Sequence, residues 1–460
     1  MKPFEKHPTD GVPAIIRKDL PYMSPLSILA AFVVLTCFMG IARPQRCFSL
    51  TLEEAVSLAK ENLPSLKGSK LKLDSTEALY DASLAPYLPS LDASTAQEKH
   101  DINSREFDLS TYDVTLSYVL FDGGKRKANR NIAKLNRDID KEGLDTGYLD
   151  LRFNVQTAFF TSMARKEILE ERKIQLQDAG KDYEVAHGRH ALGAAKLSDV
   201  LQASVRLEQA KFNRVQAEGD WKKSVAELNS LLGKPLEAAC DLQGSLDFQL
   251  NMPDVDRLSK AVLQRPEIKQ AQNSVDVSKS NKALETAAFF PVITAKVSYS
   301  KSEGSFFGGL SSSGSSSSSL SSAGEDRSVG LQATWNIFEL GKYYRRKSSD
   351  FQIHVSREKL NETVRQLLLD LRKAHEDYLT TSQNVAVALE QLKQAEYNYA
   401  RAFGEYKVGK ADILSLVQAE SLLAGAREQR TTSRLNLILA KALLERATGL
   451  EKLDELSTEP

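Results

Sequence analysis

Cysteine and aromatic residues are scarce in this chain of 460 residues. It has three cysteines and two tryptophans, and aromatic residues make up 7% of the sequence. The cysteines, Cys37, Cys47 and Cys240, include no CxxC pair and cannot build a disulfide framework. So low an aromatic content is unusual for a globular α/β enzyme but ordinary for long helices rich in Ala, Leu, Glu, Lys, Gln and Arg. The composition favours a mainly helical protein.

Neither sign of charge is in excess, and motifs for catalysis are lacking. The 61 basic and 61 acidic residues balance, so there is no electrostatic reason to expect a nucleic-acid partner. Gly-x-Ser-x-Gly and His-Glu-x-x-His do not occur. Gly123-Gly124-Lys125 lacks the rest of a phosphate loop. His187 and His190 have no acidic or cysteine ligand placed to complete a metal site. We expect no enzymatic activity, no cofactor and no bound metal.

Long apolar runs are confined to the amino terminus. Residues 26–42 are apolar apart from Ser27, Thr36 and Gly40, and Arg17 and Lys18 precede them. This pattern predicts a signal peptide at residues 1–42, with cleavage after an alanine. An uncleaved anchor helix is the alternative, and a lipid-modified cysteine fits less well. After residue 42 no apolar stretch reaches 18 residues. The mature chain is therefore expected either to lie free beyond the inner membrane or to cross a membrane as β-strands.

Two long parts of the sequence match each other. An offset of 216 residues aligns Gln202-Ala203 with Gln418-Ala419. The same offset aligns Leu192-Gly193 with Val408-Gly409, and Gly233 with Gly449. An offset of 202 aligns Pro64 with Pro266, and Pro89 with Pro291. We interpret the chain as a duplication: a first repeat at 43–240, a connecting segment at 241–255, a second repeat at 256–450 and a tail at 451–460.

Each repeat begins with segments that alternate between apolar and polar residues. The alternation is clear at 112–120, 293–300 and 328–337, and weaker at 90–98. A period of two over about ten residues predicts half-buried strands, and about ten residues also suffice for a tilted membrane strand. Four strands are too few to close a barrel, whereas three copies of the chain would supply twelve. The segments 101–108 and 302–326, the second rich in serine, are expected to be mobile surface loops between the strands.

Proline-free stretches of helical character follow the strands. They begin after Phe121-Asp122-Gly123-Gly124 and after the segment 338–341. About 65 helical residues would extend ~100 Å, and apolar or small residues at three- and four-residue spacing predict antiparallel helix pairs. The pairs are expected to turn at 187–200 and 406–416. The candidate N-cap of the first returning helix is Ser198 or Asp199, and that of the second is Asp412.

With its strands, turns and long helices in this order, the chain resembles the TolC-like outer membrane efflux proteins. The residues that carry the resemblance are the two strand-to-helix turns, the Leu-Gly and Val-Gly tips, the helix restarts after them, and Leu50-Thr51-Leu52-Glu53-Glu54-Ala55. The resemblance covers residues ~49–450. It implies a mainly α fold with a membrane β-barrel portion: a homotrimer whose twelve-stranded barrel, surrounded by outer-membrane lipid, continues into a long α-helical coiled-coil tunnel in the periplasm. It also implies a periplasmic adaptor and an inner-membrane pump as partners.

The resemblance assigns adaptor docking and the tunnel entrance to the two helical tips. The residues so assigned are Leu192, Gly193, Asp199, Val200, Leu201, Ala203, Val408, Gly409, Ile413, Ser415, Gln418 and Ala419. Relatives often carry aspartates on the second tip helix, but this chain has Ser415 and Gln418 there. An acidic constriction from that helix is therefore not expected. Asp199 is the remaining acidic candidate, and a simple N-cap role is an equal alternative for it.

Two functions remain open on the sequence alone. The first is an outer-membrane exit duct for efflux or type I secretion. The second is a periplasmic or secreted coiled-coil scaffold whose strands form a soluble sheet. The sequence does not identify the cargo, the pump or the adaptor.

Overall fold

The computed structural model describes residues 49–102, 105–239, 241–247, 255–307 and 320–450. The helices are α1 (Leu52–Asn62), α2 (Pro64–Ala82), α3 (Lys125–Ala191), α4 (Leu197–Leu232), α5 (Val255–Val262), α6 (Pro266–Ala287), α7 (Leu340–Lys407) and α8 (Ile413–Thr448). The strands are β1 (Ser49–Leu50), β2 (Ser90–Ile102), β3 (Arg105–Phe121), β4 (Asp241–Leu242), β5 (Val292–Phe307) and β6 (Leu320–Thr334).

Some predicted features lie outside the described residues. They are the signal peptide at 1–42, the tail at 451–460, the serine run at 311–319 and all three cysteines. The boundaries of the two repeats stay predictions. Among the helices of the described residues, none is long and apolar enough to span a membrane.

One antiparallel sheet contains the four long strands, in the order β2, β3, β5, β6. Its register brings the apolar residues of all four strands into the same rows. In one row Leu91 lies beside Leu116, Leu116 beside Val297, and Val297 beside Val329. The adjacent row consists of Ser90, Ser117, Lys296 and Gly330. Because side chains alternate between the faces of a strand, the sheet has one apolar and one polar face.

The strands differ in length from the predicted segments. β2 and β3 extend to Ile102 and Arg105, which pair with each other, so the predicted loop at 101–108 is mostly strand. Likewise β5 continues to Phe307 and β6 begins at Leu320, well inside the predicted loop at 302–326. At its other end β6 stops at Thr334, before the predicted end at 337. Backbone pairing extends the ladder into polar sequence, where hydrophobic alternation gives no signal.

The helices confirm the predicted long antiparallel pairs. α3 has 67 residues and α7 has 68, while α4 and α8 each have 36. At 1.5 Å per residue, α3 and α7 are each ~100 Å long. α4 packs along the second half of α3 and α8 along the second half of α7, while α8 also packs against α3. Nearer the sheet, α2 packs on α3, α3 on α6, and α6 on α7.

The short elements pack around the middle of the long helices. β1 pairs in parallel with β4, which belongs to the predicted connecting segment. Leu50, Val155, Phe159 and Leu228 form the centre of one buried cluster together with α1. α5 contributes to a second cluster with α7 and α8. These contacts anchor the connection between the two halves of the chain.

Candidate functional site

Each long helix pair ends in a short turn, and these two turns form the helical tips. The first tip is the segment 192–196 between α3 and α4, and the second is the segment 408–412 between α7 and α8. Gly193 has φ +74° and Gly409 has φ +79°, a left-handed conformation that favours glycine after a helix. The amide of Ala194 donates to the Arg189 carbonyl at 2.8 Å, and Lys410 donates to the Glu405 carbonyl at the same distance. Both tips therefore have the same closing geometry.

The residues assigned to docking and to the entrance divide by exposure. Leu192 is 85% exposed and Val408 is 68% exposed. The exposed members of the set are Leu192, Gly193, Leu201, Val408, Gly409, Ser415 and Gln418. The buried members are Val200, Ala203, Ile413 and Ala419, and Asp199 is partly exposed. Within one copy of the chain, only the exposed members are accessible to a partner. The buried members hold the shape of the tips.

The start of α8 confirms one predicted cap, and the start of α4 shows that the other was wrong. Asp412 accepts a hydrogen bond from the Ser415 amide at 2.9 Å. Hydrogen bonds from Ser415 hold the pKa of Asp412 below its usual value. At the first tip, α4 begins at Leu197, and its N-cap residue is Lys196, which has no side-chain capping bond. Ser198 and Asp199 instead lie in the first helical turn, where Asp199 interacts favourably with the helix dipole.

Arg189 joins the two tips. It lies on α3, and its Nη1 donates to the carbonyl of Tyr406 on α7 at 2.5 Å. Its Nη2 donates to the carbonyl of Ala194 in the first tip at 3.2 Å. The guanidinium also lies 4.5 Å from the centroid of the Tyr406 ring. One side chain therefore connects the first tip to the end of the helix that leads into the second.

Apolar packing beneath the tips supports this connection. Tyr406 and Leu416 are almost completely buried. They belong to a cluster formed by residues of α3, α4, α7 and α8: Ala186, Ala203, Ala402, Tyr406, Ile413, Leu416 and Ala419. Small alanines at these positions let the four helices approach closely.

A buried carboxylate links three of the four helices. Glu420 of α8 is 4% exposed. It forms an ion pair with Arg206 of α4 and accepts a hydrogen bond from Gln175 of α3 at 3.0 Å. Because a buried charge requires such compensation, these contacts hold the register of the lower bundle.

A second buried carboxylate lies close by. Asp182 of α3 accepts a hydrogen bond from the Tyr399 hydroxyl of α7 at 3.2 Å. Burial raises the pKa of Asp182 to about 7, and the neighbouring charges of Glu420 and Asp178 act in the same direction. Burial also raises the pKa of Tyr399. At neutral pH, Asp182 is therefore close to its titration point.

These polar residues could not be predicted from the sequence. Glu420 stands in the apolar stripe of α8, which is a local sign of a buried polar group, but its partner Arg206 is 214 residues away. No local pattern distinguishes Arg189 or Asp182 from other charged residues of α3. The two histidines near the first tip do not approach each other as metal ligands: His190 Nδ1 lies 2.9 Å from the Ala195 carbonyl, and His187 packs on Tyr183. In the described part of the chain, no group of three His, Cys, Asp or Glu residues could hold a metal ion.

The apolar face of the sheet is the second candidate site. Many of its large side chains are exposed, among them Leu91, Val329 and Leu331. They form rows with the apolar side chains of β3 and β5. An exposed, continuous apolar face of this kind indicates contact with lipid or with another protein. The predicted strand faces are therefore confirmed.

The profile of the outer membrane efflux protein family matches residues 55–234 and 258–450. The cobalt-zinc-cadmium resistance protein CzcC of Cupriavidus metallidurans is 25% identical over 278 residues, which cover 60% of this chain and 64% of that protein. The match therefore spans a little less than two thirds of CzcC. The pyoverdine export outer membrane protein OpmQ of Pseudomonas putida is 22% identical over 418 residues, covering 86% of this chain and 85% of OpmQ.

The fold is also similar to that of solved channels. A crystal structure of CusC, described in connection with transmembrane channel formation, superposes with a TM-score of 0.72 at 18% identity. The superposition covers 87% of this chain and 92% of CusC. The family match extends over both long helix pairs and both pairs of long strands. The chain belongs to the outer membrane efflux protein family.

Proposed function

We propose that three copies of this chain form the exit duct of a tripartite efflux pump or type I secretion system. The duct is a twelve-stranded barrel in the outer membrane joined to a helical tunnel in the periplasm. It is a passive conduit that performs no chemistry. The observation that supports this most directly is the four-stranded sheet, with one exposed apolar face and two edges that no described strand pairs with.

The sheet edges favour closure by neighbouring copies. β2 and β6 are the edge strands, and each has one strand neighbour in the described residues. Unpaired backbone groups in hydrocarbon cost several kcal/mol each, so an open sheet is not stable there. Pairing β6 of one copy with β2 of the next removes both edges. Three copies give twelve strands and an open lumen.

The helices nearest the sheet suggest the same seam. Because the packing order is α2, α3, α6, α7, the helices α2 and α7 flank the group on opposite sides. Both carry exposed apolar side chains: Leu71 and Leu79 on α2 are 67% and 63% exposed, and Phe351 on α7 is 61% exposed. Burying one large apolar side chain contributes roughly 1.5–3 kcal/mol. Contact between α7 of one copy and α2 of the next would bury these side chains.

The tips are proposed to form the closed entrance. Contacts within each copy, including the Arg189 bridge, hold the tips together. A periplasmic adaptor bound to the exposed tip residues shifts the equilibrium towards the open state. The two tips differ in chemistry, because Asp199 has no acidic counterpart at Ser415 or Gln418. We therefore propose that the internal duplication gives two similar but non-equivalent docking sites per copy.

The cargo is not selected by the tip residues in this proposal. The named relatives differ in what they transport: CzcC is named for resistance to three metals, and OpmQ for export of pyoverdine. We propose that the inner-membrane pump determines the cargo, as expected when a duct is shared by different systems.

A pair of glycine variants tests docking at the tips. Gly193 and Gly124 both have a positive φ, and neither has an atom close to where a Cβ would be added. Arginine at either position therefore introduces similar backbone strain and charge, but Gly124 lies at the sheet end of α3, ~100 Å from the tip. We expect Gly193→Arg to abolish export, measured as drug and metal susceptibility of a deletion strain, while the trimer remains in the outer membrane.

Gly124→Arg is the matched control and should retain export. Unchanged export by Gly193→Arg would contradict docking at the tip. Recovery of the wild-type protein from the soluble periplasm would instead contradict the channel itself and favour the scaffold.

A further inference from the structure

The apolar face of the sheet continues beyond its last strand into an exposed rim. Trp335 follows the alternation of β6 and is 56% exposed. Its Nε1 donates to the carbonyl of Phe289 at 3.0 Å, which fixes the indole beside the end of α6. Ile337 and Phe338 come next and are 78% and 84% exposed. With Tyr343, these residues form what we call the aromatic rim.

Ile337, Phe338 and Tyr343 of the aromatic rim line an open groove of about 370 Å³, and the acidic residue Glu339 lines it as well. The groove has mainly apolar walls, formed in part by Phe289, Phe338 and Tyr343. Two polar groups are fixed within it, because Lys342 Nζ donates to the Asn336 carbonyl at 3.1 Å. Aromatic side chains with a polar tip are suited to the boundary between hydrocarbon and water.

Exposed cations lie directly below the rim. Arg346 and Lys347 in the second turn of α7 are both exposed. The Arg346 guanidinium lies 6.0 Å from the centroid of the Phe289 ring, so it is adjacent to the rim. Arg345 is different, because it already pairs with Glu339 and Glu285. Neither Arg346 nor Lys347 forms a salt bridge with another described residue. Arg346 contributes, after Lys282, to the lowered pKa of Asp350 one turn further along α7.

The helix starts on this side of the sheet carry exposed cations beside their capping acids: Asp122 accepts a hydrogen bond from the Arg126 amide of α3 at 2.8 Å, and Glu339 is the N-cap residue of α7. α7 has no acidic residue in its first turn, and neither has α3, which begins with Lys125 and carries Lys127. Both lysines are exposed. Positive charge near a helix N-terminus is unfavourable by itself. The exposed cations on both helices therefore add positive charge next to the strands beyond what the capping acids require.

We infer that the aromatic rim and Arg346 with Lys347 form a binding surface for anionic phospholipid headgroups of the periplasmic leaflet. This inference rests on the proposed function, because it requires the sheet to lie in the outer membrane. The rim residues lie at the level of the glycerol groups, and the two cations reach the headgroup phosphates. Basic residues next to a membrane-spanning segment bind anionic lipid in this way.

The test uses the trimer of the mature chain in neutral detergent and native mass spectrometry of bound lipid. Phosphatidylglycerol is titrated as the anionic lipid and phosphatidylethanolamine as the zwitterionic one. The variant is Arg346→Gln with Lys347→Gln. The matched control is Arg357→Gln with Lys359→Gln, two exposed cations on the same helix, ~16–20 Å further from the sheet. Glycerol phosphate is added to the wild type as a soluble anion.

We expect the wild type to bind phosphatidylglycerol more tightly than phosphatidylethanolamine. The Arg346/Lys347 variant should lose roughly 30-fold in affinity for phosphatidylglycerol alone, since each cation at an anionic surface contributes roughly fivefold. The control variant should bind phosphatidylglycerol like the wild type. Glycerol phosphate, added at the same concentration as the lipid, should not displace phosphatidylglycerol.

Three results would overturn the inference. They are equal binding of both lipids by the wild type, unchanged phosphatidylglycerol binding by the Arg346/Lys347 variant, and dissociation of that variant into monomers. The last would place the cations in the subunit contact. Failure of the channel proposal is distinguishable, because the wild-type protein would then not be found in the outer membrane.

Discussion

Replacing Arg189 by glutamine should loosen the contact between the two helical tips. The substitution removes the bidentate contact to the carbonyls of Tyr406 and Ala194 and the cation–π contact to the Tyr406 ring. A hydrogen bond from a charged donor contributes ~1.5–3 kcal/mol and an exposed cation–π contact ~0.5–1 kcal/mol. Arg189 is only partly buried, so solvent screening reduces the total. We expect a net loss of about 2 kcal/mol, equivalent to roughly 30-fold in local opening.

Hydrogen exchange measures this opening residue by residue. The informative amides are those of Ala194, Gly409 and Lys410, which donate to helix-end carbonyls in the two tips. Their protection should fall by roughly 30-fold in Arg189→Gln, while that of the helices near the sheet stays unchanged. Arg401→Gln is the control, because Arg401 is exposed and, among the described residues, forms its salt bridge with Glu405 of its own helix. Unchanged tip protection in Arg189→Gln, or an equal loss in Arg401→Gln, would refute the bridge.

Three further predictions concern the same region. Leu416→Ala should destabilise the protein by ~2–5 kcal/mol in thermal unfolding, because Leu416 is fully buried. Leu414 on the same helix is 62% exposed, so Leu414→Ala should cost under about 0.5 kcal/mol. Asp412→Ala should cost ~1 kcal/mol through loss of the cap, and Ser198→Ala, which caps no helix, should cost much less by the same assay. Folding raises the pKa of Asp182 from 3.8 to about 7. Between these two pH values the folded state therefore binds more protons than the unfolded state, and the free energy of unfolding falls as the pH rises. Between pH 5 and 8 the free energy of unfolding should fall by on the order of 3 kcal/mol, because about two pH units between the unfolded and the folded pKa lie in this range, and Asp182→Asn should remove this fall.

The sequence was sufficient to predict the parts of the fold that depend on local periodicity. Alternation from Val329 to Ala333 predicted the apolar face of β6, and the proline-free stretches predicted the long helix pairs. The strand ends were predicted poorly, because there the ladder continues through serine-rich and charged sequence such as Lys301 and Glu303. Backbone hydrogen bonds hold those residues in the sheet regardless of side-chain pattern.

The candidate site was predicted only in outline. Gly193 and Gly409 marked both tips, because a turn directly after a long helix favours glycine. The residues that hold the tips together, such as Arg189 and Glu420, find their partners more than 200 residues away in the chain. Such pairings depend on how the helices are arranged in space, and no local pattern encodes them. The exact start of α4 was also missed, because Ser198 and Asp199 are favoured N-cap residues, whereas the helix begins earlier, after Lys196, without a side-chain cap.

The most direct test of the account is the mass of the particle extracted from the outer membrane. One chain supplies four strands, and closure of the proposed barrel requires β6 of one copy to pair with β2 of the next. Native mass spectrometry of the wild-type protein in mild detergent should therefore give three copies of the mature chain. A stable, membrane-extracted particle containing a single copy would contradict this, because one four-stranded sheet cannot enclose a pore.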